Sequence, residues 1–532
     1  MNESVGFKRL GVMLDCSRNA VMRVDAVERM ILLLEKMGYN SLMLYTEDTY
    51  EVDNQPYFGH LRGRYSKEEL RRLDRFAAAH GIELIPCIQT LAHLNALMSW
   101  SVYRSIRDNN DILLAGDDRV YKLIEDIFST LEQCFTSRIV NVGMDEAFTL
   151  GLGRYLELHG LRERSEILLE HLGRVAETAA RHGFEVCMWG DMFKNLLGKE
   201  TAETVRERIP KNVRLIHWDY DTTDEKKYDK SFADYQRICG DLWFAGGART
   251  WTGFAPHNGF ALKTAKSAVP SCIRNGIENV FITLWGDNGG ECSRFSVLPA
   301  LYAVSQHARG NYDENSIRSG FSEMFGVGFD DFMQIDLPAS PNGEGNTVDS
   351  EKYLLYNDCF LGRLDSTVAP GDGLRFAESA QRLEKLSNSP DFGKIFTALK
   401  ELCNVLEIKA EIGWHTREAY RSGRKAALSE VVTEYDELLK RLETFYSAYE
   451  KWWMWENKPH GFDVQDIRLG GLIRRVKHCR SRIEEYIEGN TKCIEELEEP
   501  VLSITCSGEE LPRRPLCLNN WGQSATCNVI DY

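Results

Sequence analysis

Arg138-Ile139-Val140-Asn141-Val142-Gly143-Met144-Asp145-Glu146-Ala147 is the stretch whose reading decides the fold. Ile139, Val140 and Val142 form a short apolar run that reads as a buried strand, and the chain then turns at Gly143 into two adjacent carboxylates. In a parallel α/β protein this edge, where strands end and loops begin, is where ligands bind. Successive side chains leave a strand in different directions, so each acid can face a different part of a ligand. The competing reading is two acids introducing a helix, where negative charge is favoured. The rest of the chain weighs between them.

On either side of this run, residues 8–309 alternate apolar strands with amphipathic helices. The strand candidates are Leu10–Asp15, Ser41–Tyr45, Ile82–Ile88, Ile139–Gly143, Glu185–Trp189, Val213–Trp218, Leu242–Ala245 and Val280–Trp285. Helical stretches fall between them at Val24–Met37, Lys67–His80, Val120–Cys134, Glu163–His182, Ser231–Ile238 and Leu262–Arg274. Gly38, Gly81 and Gly183 stand where helices end, as C-caps do. Eight strands alternating with helices over about 300 residues predict a (β/α)8 barrel. A doubly wound open sheet is the alternative, but no GxGxxG or P-loop follows any strand.

Composition narrows the classes. The chain has 532 residues, 43% hydrophobic and 27% charged, as an ordinary globular protein does. A net charge of −16 argues against nucleic acid or an anionic membrane as partner. No window reaches the ~20 apolar residues of a membrane span, and Met1–Lys8 lacks the apolar core of a signal peptide. Fourteen cysteines lack CxxC pairing, and Cys16, Cys87 and Cys187 lie in or beside strand candidates. Buried thiols in a reducing, cytoplasmic compartment are therefore expected.

The strand ends carry the chemistry. Arg18 follows strand one, Glu47 and Asp48 follow strand two, and Gln89 through His93 follow strand three. Strand five ends at Trp189, strand six at Trp218 with Tyr220 beyond it, Trp251 follows strand seven, and strand eight runs into Trp285-Gly286-Asp287 with Glu291 close behind. Tryptophan beside polar or acidic residues at four consecutive strand ends suits a sugar ring, with its apolar faces and polar equator. His93 is a candidate for a hydroxyl contact or for support of Asp145, and an ordinary loop histidine is the bland reading. Glu47, Asp48 and His93 show no HxH or HExxH spacing, so no metal and no cofactor is expected.

The same residues resemble glycoside hydrolase family 20, the β-N-acetylhexosaminidases. Asn141-Val142-Gly143-Met144-Asp145-Glu146 looks like that family's H-x-G-G-D-E signature, Trp189-Gly190-Asp191-Met192-Phe193 like its strand-five tryptophan segment, and Trp285-Gly286-Asp287 like its W-x-E. The resemblance covers about residues 8–310 and implies a branch without a preceding α+β domain and with a helical C-terminal domain. It implies an exo-acting enzyme on glycosides with a terminal N-acetylhexosamine, using the substrate's own 2-acetamido oxygen as nucleophile. On that pattern Asp145 holds the acetamido N–H, Glu146 is acid and then base, and Tyr220 donates to the acetamido oxygen. Trp189, Trp218 and Trp285 line the pocket, with Trp251 and His93 as further contacts, and Arg18, Asp287 and Glu291 bind the outer hydroxyls. Tryptophan walls are expected to enclose Glu146. Asn141 replaces the signature histidine, so the network behind the acids must differ, and Asp287 replaces a glutamate. A conventional two-carboxylate glycosidase and a non-catalytic glycan-binding barrel are the alternatives.

The character changes after about residue 310, which divides a catalytic barrel, 1–310, from a mainly helical domain, 311–532. Residues 338–350 read as a linker. Leu374 to Asn490 has helical periodicity, with long helices at Leu428–Trp455 and Ile467–Tyr486. Their apolar stripes lead to the expectation of a homodimer through these helices. Trp452-Trp453-Met454-Trp455 reads as an aromatic cluster between helices, packing on the barrel or bordering its site. The tail from Glu499 is assigned nothing.

Overall fold

The computed structural model describes residues 6–197, 201–251, 253–340, 350–368 and 370–502. Eight parallel strands close into a barrel in sequence order: β1 Arg9–Asp15, β2 Ser41–Thr46, β3 Glu83–Ile88, β4 Ile139–Asn141, β5 Glu185–Trp189, β6 Val213–Trp218, β7 Trp243–Gly247 and β8 Asn279–Leu284. Closure is made by β1 against β8, with Leu14 opposite both Leu284 and Leu44. The strands are apolar almost throughout because a barrel buries both faces of each strand. Side chains fill the interior so tightly that a Cβ on Gly11 would lie 2.2 Å from the Phe281 ring. The expected (β/α)8 barrel is the fold, and an open sheet is excluded by the β1–β8 pairing.

Helix boundaries follow local signals. Ser66 and Glu69 form a reciprocal capping box on Lys67–Ala79. Gly38, Gly81 and Gly183 end their helices with φ of 82°, 69° and 75°, the left-handed region that a C-cap requires. The helix expected at Ser231–Ile238 instead spans Glu225–Gln236, because Asp224 caps it by accepting from Lys226 N–H. Strand β4 is two residues shorter than expected, since Asn141 Oδ1 takes the Gly143 N–H at 2.9 Å and turns the chain early.

The chain divides into two compact units. The first comprises Met1–Arg249, Ala261–Gly286 and Ala300–Gly320 and contains the barrel. The second comprises Thr250–Phe260, Asp287–Pro299 and Phe321–Tyr532, so the segments after β7 and β8 belong with the helices rather than with a unit ending at 310. Five helices dominate the second unit: Asp372–Glu384, Gly393–Lys409, Ile412–Arg421, Lys425–Glu456 and Phe462–Glu488. The stripe of Lys425–Glu456, from Leu428 through Tyr435, Leu442 and Tyr449 to Trp453, is buried against Gly393–Lys409 and Phe462–Glu488 of the same unit. That covering removes the ground for expecting a homodimer there. The tryptophan cluster is not an inter-helix loop either. Helix Lys425–Glu456 runs through it, with Trp452 Nε1 donating to Glu456 at 3.0 Å and Trp453 Nε1 to the Lys458 carbonyl at 3.0 Å.

Residues 341–349 of the expected linker, and the tail from 503, lie outside the described residues. Ten of the eleven described cysteines are buried, and all eleven are free thiols. Among the described residues no helix is long and apolar enough to cross a membrane.

Candidate active site

Backbone strain concentrates where β4 ends. Gly143, Met144 and Glu146 have φ of 74°, 68° and 51°, and His93 on the loop after β3 has 57°. Non-glycine residues hold such angles only where surrounding bonds impose them. At Gly143 a Cβ would sit 2.1 Å from Gln89 Oε1, so glycine is required both for φ and for space.

Gln89 is the residue that imposes the turn. Its Oε1 accepts the Met144 N–H at 3.1 Å, and its Nε2 donates to Asp145 Oδ1 at 2.7 Å and to the Tyr45 hydroxyl at 3.1 Å. His93 Nε2 pairs with the other Asp145 oxygen at 3.1 Å and stands 3.6 Å from Glu146. Burial alone pushes the Asp145 carboxyl up, but the hydrogen bond and charge of His93, then Gln89 and Arg18, hold it below the usual carboxylate range. Burial likewise opposes the charged imidazole, and Asp145 outweighs it, raising His93 to about 9. Asp145 is therefore an anion oriented from two sides. The network expected to differ because Asn141 replaces a histidine is this one, with Asn141 turning the chain and Gln89 gripping it.

Glu146 has a different setting. Its side chain is 46% exposed, so the expected enclosure by tryptophan does not surround it. Its main-chain N–H donates to Asp191 Oδ2 at 3.0 Å, from the residue two beyond the end of β5.

Around the rim, Arg18 donates from Nε to Glu47 Oε1 at 2.8 Å, and Glu47 also accepts from Ser17 Oγ at 3.0 Å and Tyr45 at 3.1 Å. Asp48 pairs with Arg62 at 3.1 Å. Glu47 and Asp48 thus serve as arginine partners, and Glu47 places the Arg18 guanidinium 5.0 Å from the Trp285 ring centroid. Asp15 ties strand ends together, accepting the Ser17 and Arg18 N–H groups and, at 2.8 Å, that of Gly286.

Three tryptophans and Tyr220 gather here. Trp189 and Trp285 stand 5.8 Å apart, Trp218 stacks on Tyr220 at 5.2 Å, and Trp285 Nε1 donates to the Tyr220 hydroxyl at 2.9 Å. Trp189 is only 1% exposed and is an inner wall. Its indole N–H has no hydrogen-bond partner among the described residues.

The remaining expected residues belong to the second unit. Trp251 is partly exposed and Asp287 exposed. Glu291 was expected to bind a hydroxyl, but it is 3% exposed and its carboxylate is taken by Arg468 at 2.7 Å and by Lys352. It is an internal counter-ion, because a desolvated carboxylate needs such cations. Lys352 and Arg468 each also donate to the Asn288 carbonyl at 3.0 Å, holding the segment that follows Asp287.

Gln89, Glu47 and Asp191 are the site residues that sequence reasoning left without a role. Their only signal is position, since each lies within two residues of the end of a strand.

Two family profiles match the chain: the glycosyl hydrolase family 20 catalytic domain over residues 7–240 and the Glycoside Hydrolase 20C C-terminal domain over residues 330–513. Hexosaminidase D of Homo sapiens is 25% identical over 271 residues, covering 48% of this chain and 54% of that protein. Hexosaminidase D of Bos taurus is 24% identical over 217 residues, covering 38% of this chain and 60% of that protein. The chain thus spans little more than half the length of these relatives. A solved structure, the GH20 exo β-N-acetylglucosaminidase of Vibrio harveyi in complex with N-acetylglucosamine, has 16% identity and a TM-score of 0.49, covering 61% of this chain and 59% of that one.

Proposed function

The chain belongs to glycoside hydrolase family 20, and from that premise we propose that it is an exo-acting β-N-acetylhexosaminidase. It removes terminal non-reducing GlcNAc or GalNAc by substrate-assisted, retaining hydrolysis. The observation that carries this reading is the unequal treatment of two neighbouring acids. Asp145 is buried, ionised and held by Gln89 and His93, whereas Glu146 is left half exposed at the strand end.

The division of labour follows from those environments. The 2-acetamido oxygen attacks C1, the bond from C1 to the leaving oxygen breaks, and a cyclic oxazolinium forms. Asp145 accepts the acetamido N–H, orients the attack and stabilises the positive charge that develops on the ring nitrogen. Glu146 gives its proton to the leaving oxygen and then takes one from the water that opens the ring. Tyr220, fixed by Trp218 and Trp285, donates to the acetamido oxygen. Trp189 and Trp285 wall the acetyl group and sugar face, and Arg18 binds an outer hydroxyl. By resemblance Asp287 does the same, with Trp251 a further contact. We place the enzyme in a reducing, cytoplasmic compartment because its described cysteines are free thiols.

A panel of aryl glycosides tests this. An aryl β-N-acetylglucosaminide or galactosaminide is hydrolysed with the β-anomer as first product by NMR. The matching β-glucoside, lacking the internal nucleophile, falls at least ~10³-fold lower in kcat/KM. A thiazoline mimic of the cyclised intermediate inhibits more tightly than the free sugar. Comparable turnover of glucoside and N-acetylglucosaminide, with no thiazoline inhibition, refutes the mechanism.

A further inference from the structure

A third carboxylate stands behind the Asp145–Glu146 pair, and the mechanism above gives it no part. Asp191 opens helix Asp191–Leu197 directly after β5, and its Oδ2 accepts the main-chain N–H of Glu146 at 3.0 Å. Glu146 is in the left-handed region at φ 51°, where a glutamate stays only if its neighbours hold it. The Trp218 side chain favours the charged form of this carboxylate, while Asp191 Oδ1 is buried without a hydrogen-bond partner among the described residues. The group is thus fixed on one side and in reserve on the other.

We propose that Asp191 is a positioning residue for the catalytic acid, anchoring the main chain of Glu146 and keeping a third carboxyl group beside the acid pair. This rests on the assignment of Glu146 as the acid. Asp191 is faced by Asp145 from the β4 turn, and the Tyr235 hydroxyl of helix Glu225–Gln236 donates to the adjoining Gly190 carbonyl at 3.0 Å. His217 on β6 is half-buried and neutral, desolvation lowering it to about 4. Lys194 lies on Asp191's own helix, and His93 is committed to Asp145. No cation is therefore paired with Asp191 among these groups. Burial, and then the charge of Asp145, push its carboxyl up to about 7. Above neutrality it becomes charged, which places a second buried negative charge beside Asp145.

Two variants separate the anchoring from the charge. D191A removes both; its kcat falls on the order of a hundredfold on a glycoside with a poor leaving group, and less on one with an acidic phenol. D191N keeps an acceptor for the Glu146 N–H, so its loss is smaller. Its pH profile of kcat loses the dependence near pH 7 that the titration of Asp191 gives the wild type. A merely structural role would lower both substrates equally and leave the pH profile of kcat unchanged, and that result overturns the proposal, as does an unimpaired D191A. Absence of turnover by the wild type on every N-acetylhexosaminide would instead overturn the proposed function and the role of Asp191 with it. An active wild type with an unimpaired D191A overturns the role of Asp191 alone.

Discussion

Replacing Gln89 by leucine keeps the volume of a buried side chain and removes three hydrogen bonds: to Asp145 at 2.7 Å, from the Met144 N–H at 3.1 Å and to the Tyr45 hydroxyl at 3.1 Å. A hydrogen bond to a charged group is worth about 1.5–3 kcal/mol. The bond favours the ionised carboxylate, so losing it raises the Asp145 pKa. His93 still holds the other oxygen, so part of the lowering survives. Asp145 acts as an anion, so its protonation closes the reaction on the acid side. The acid limb of kcat/KM for an aryl N-acetylglucosaminide therefore moves to higher pH in Q89L. The buried Met144 N–H also loses its acceptor, at a cost of about 1–3 kcal/mol, seen as a lower thermal midpoint. The assay is a pH series of kcat/KM on wild type and Q89L, each shown to be folded by circular dichroism. Coincident acid limbs on two folded proteins would refute the claim that Gln89 holds Asp145 in its ionised state.

Glu146→Gln removes a proton donor from a half-exposed position and should lower kcat by ~10²–10⁴ on a poor leaving group, with a smaller loss for an acidic phenol; equal losses would show that Glu146 is not the acid. The His93–Asp145 pair makes stability depend on pH at both ends: raised to about 9, His93 contributes below its unfolded pKa and loses that contribution as pH rises through 9. Asp145, held below the carboxylate range, contributes above its unfolded pKa and loses that contribution as pH falls through the folded one. H93F should flatten both shoulders of a denaturation series, and an unchanged series would deny the pair its role. Lys352→Met leaves buried Glu291 with Arg468 as its remaining cation and should destabilise by about 3 kcal/mol in chemical denaturation.

Much of the barrel was legible in the sequence. Parallel strands buried on both faces must be apolar runs, so Leu10–Asp15, Val213–Trp218 and their counterparts announced themselves, as did the glycines that end three helices. The Asp145–Glu146 pair and the tryptophans at strand ends were visible too, because strand ends in a barrel share one rim. Local periodicity encodes which side chains are buried but not what they are buried against. The stripe from Leu428 to Trp453 was read correctly as apolar; only the packing of neighbouring helices decided that its partner lies within the same unit. Helical periodicity also could not say that Lys425–Glu456 continues through the tryptophan cluster. Glu291 next to a rim residue looked like a ligand until Lys352 and Arg468, 61 and 177 positions away, closed on it. The setting of the acids was least accessible, because Gln89, His93 and Asp191 come from β3 and β5. Barrel closure brings them onto the β4 turn, and no spacing along the chain records that convergence.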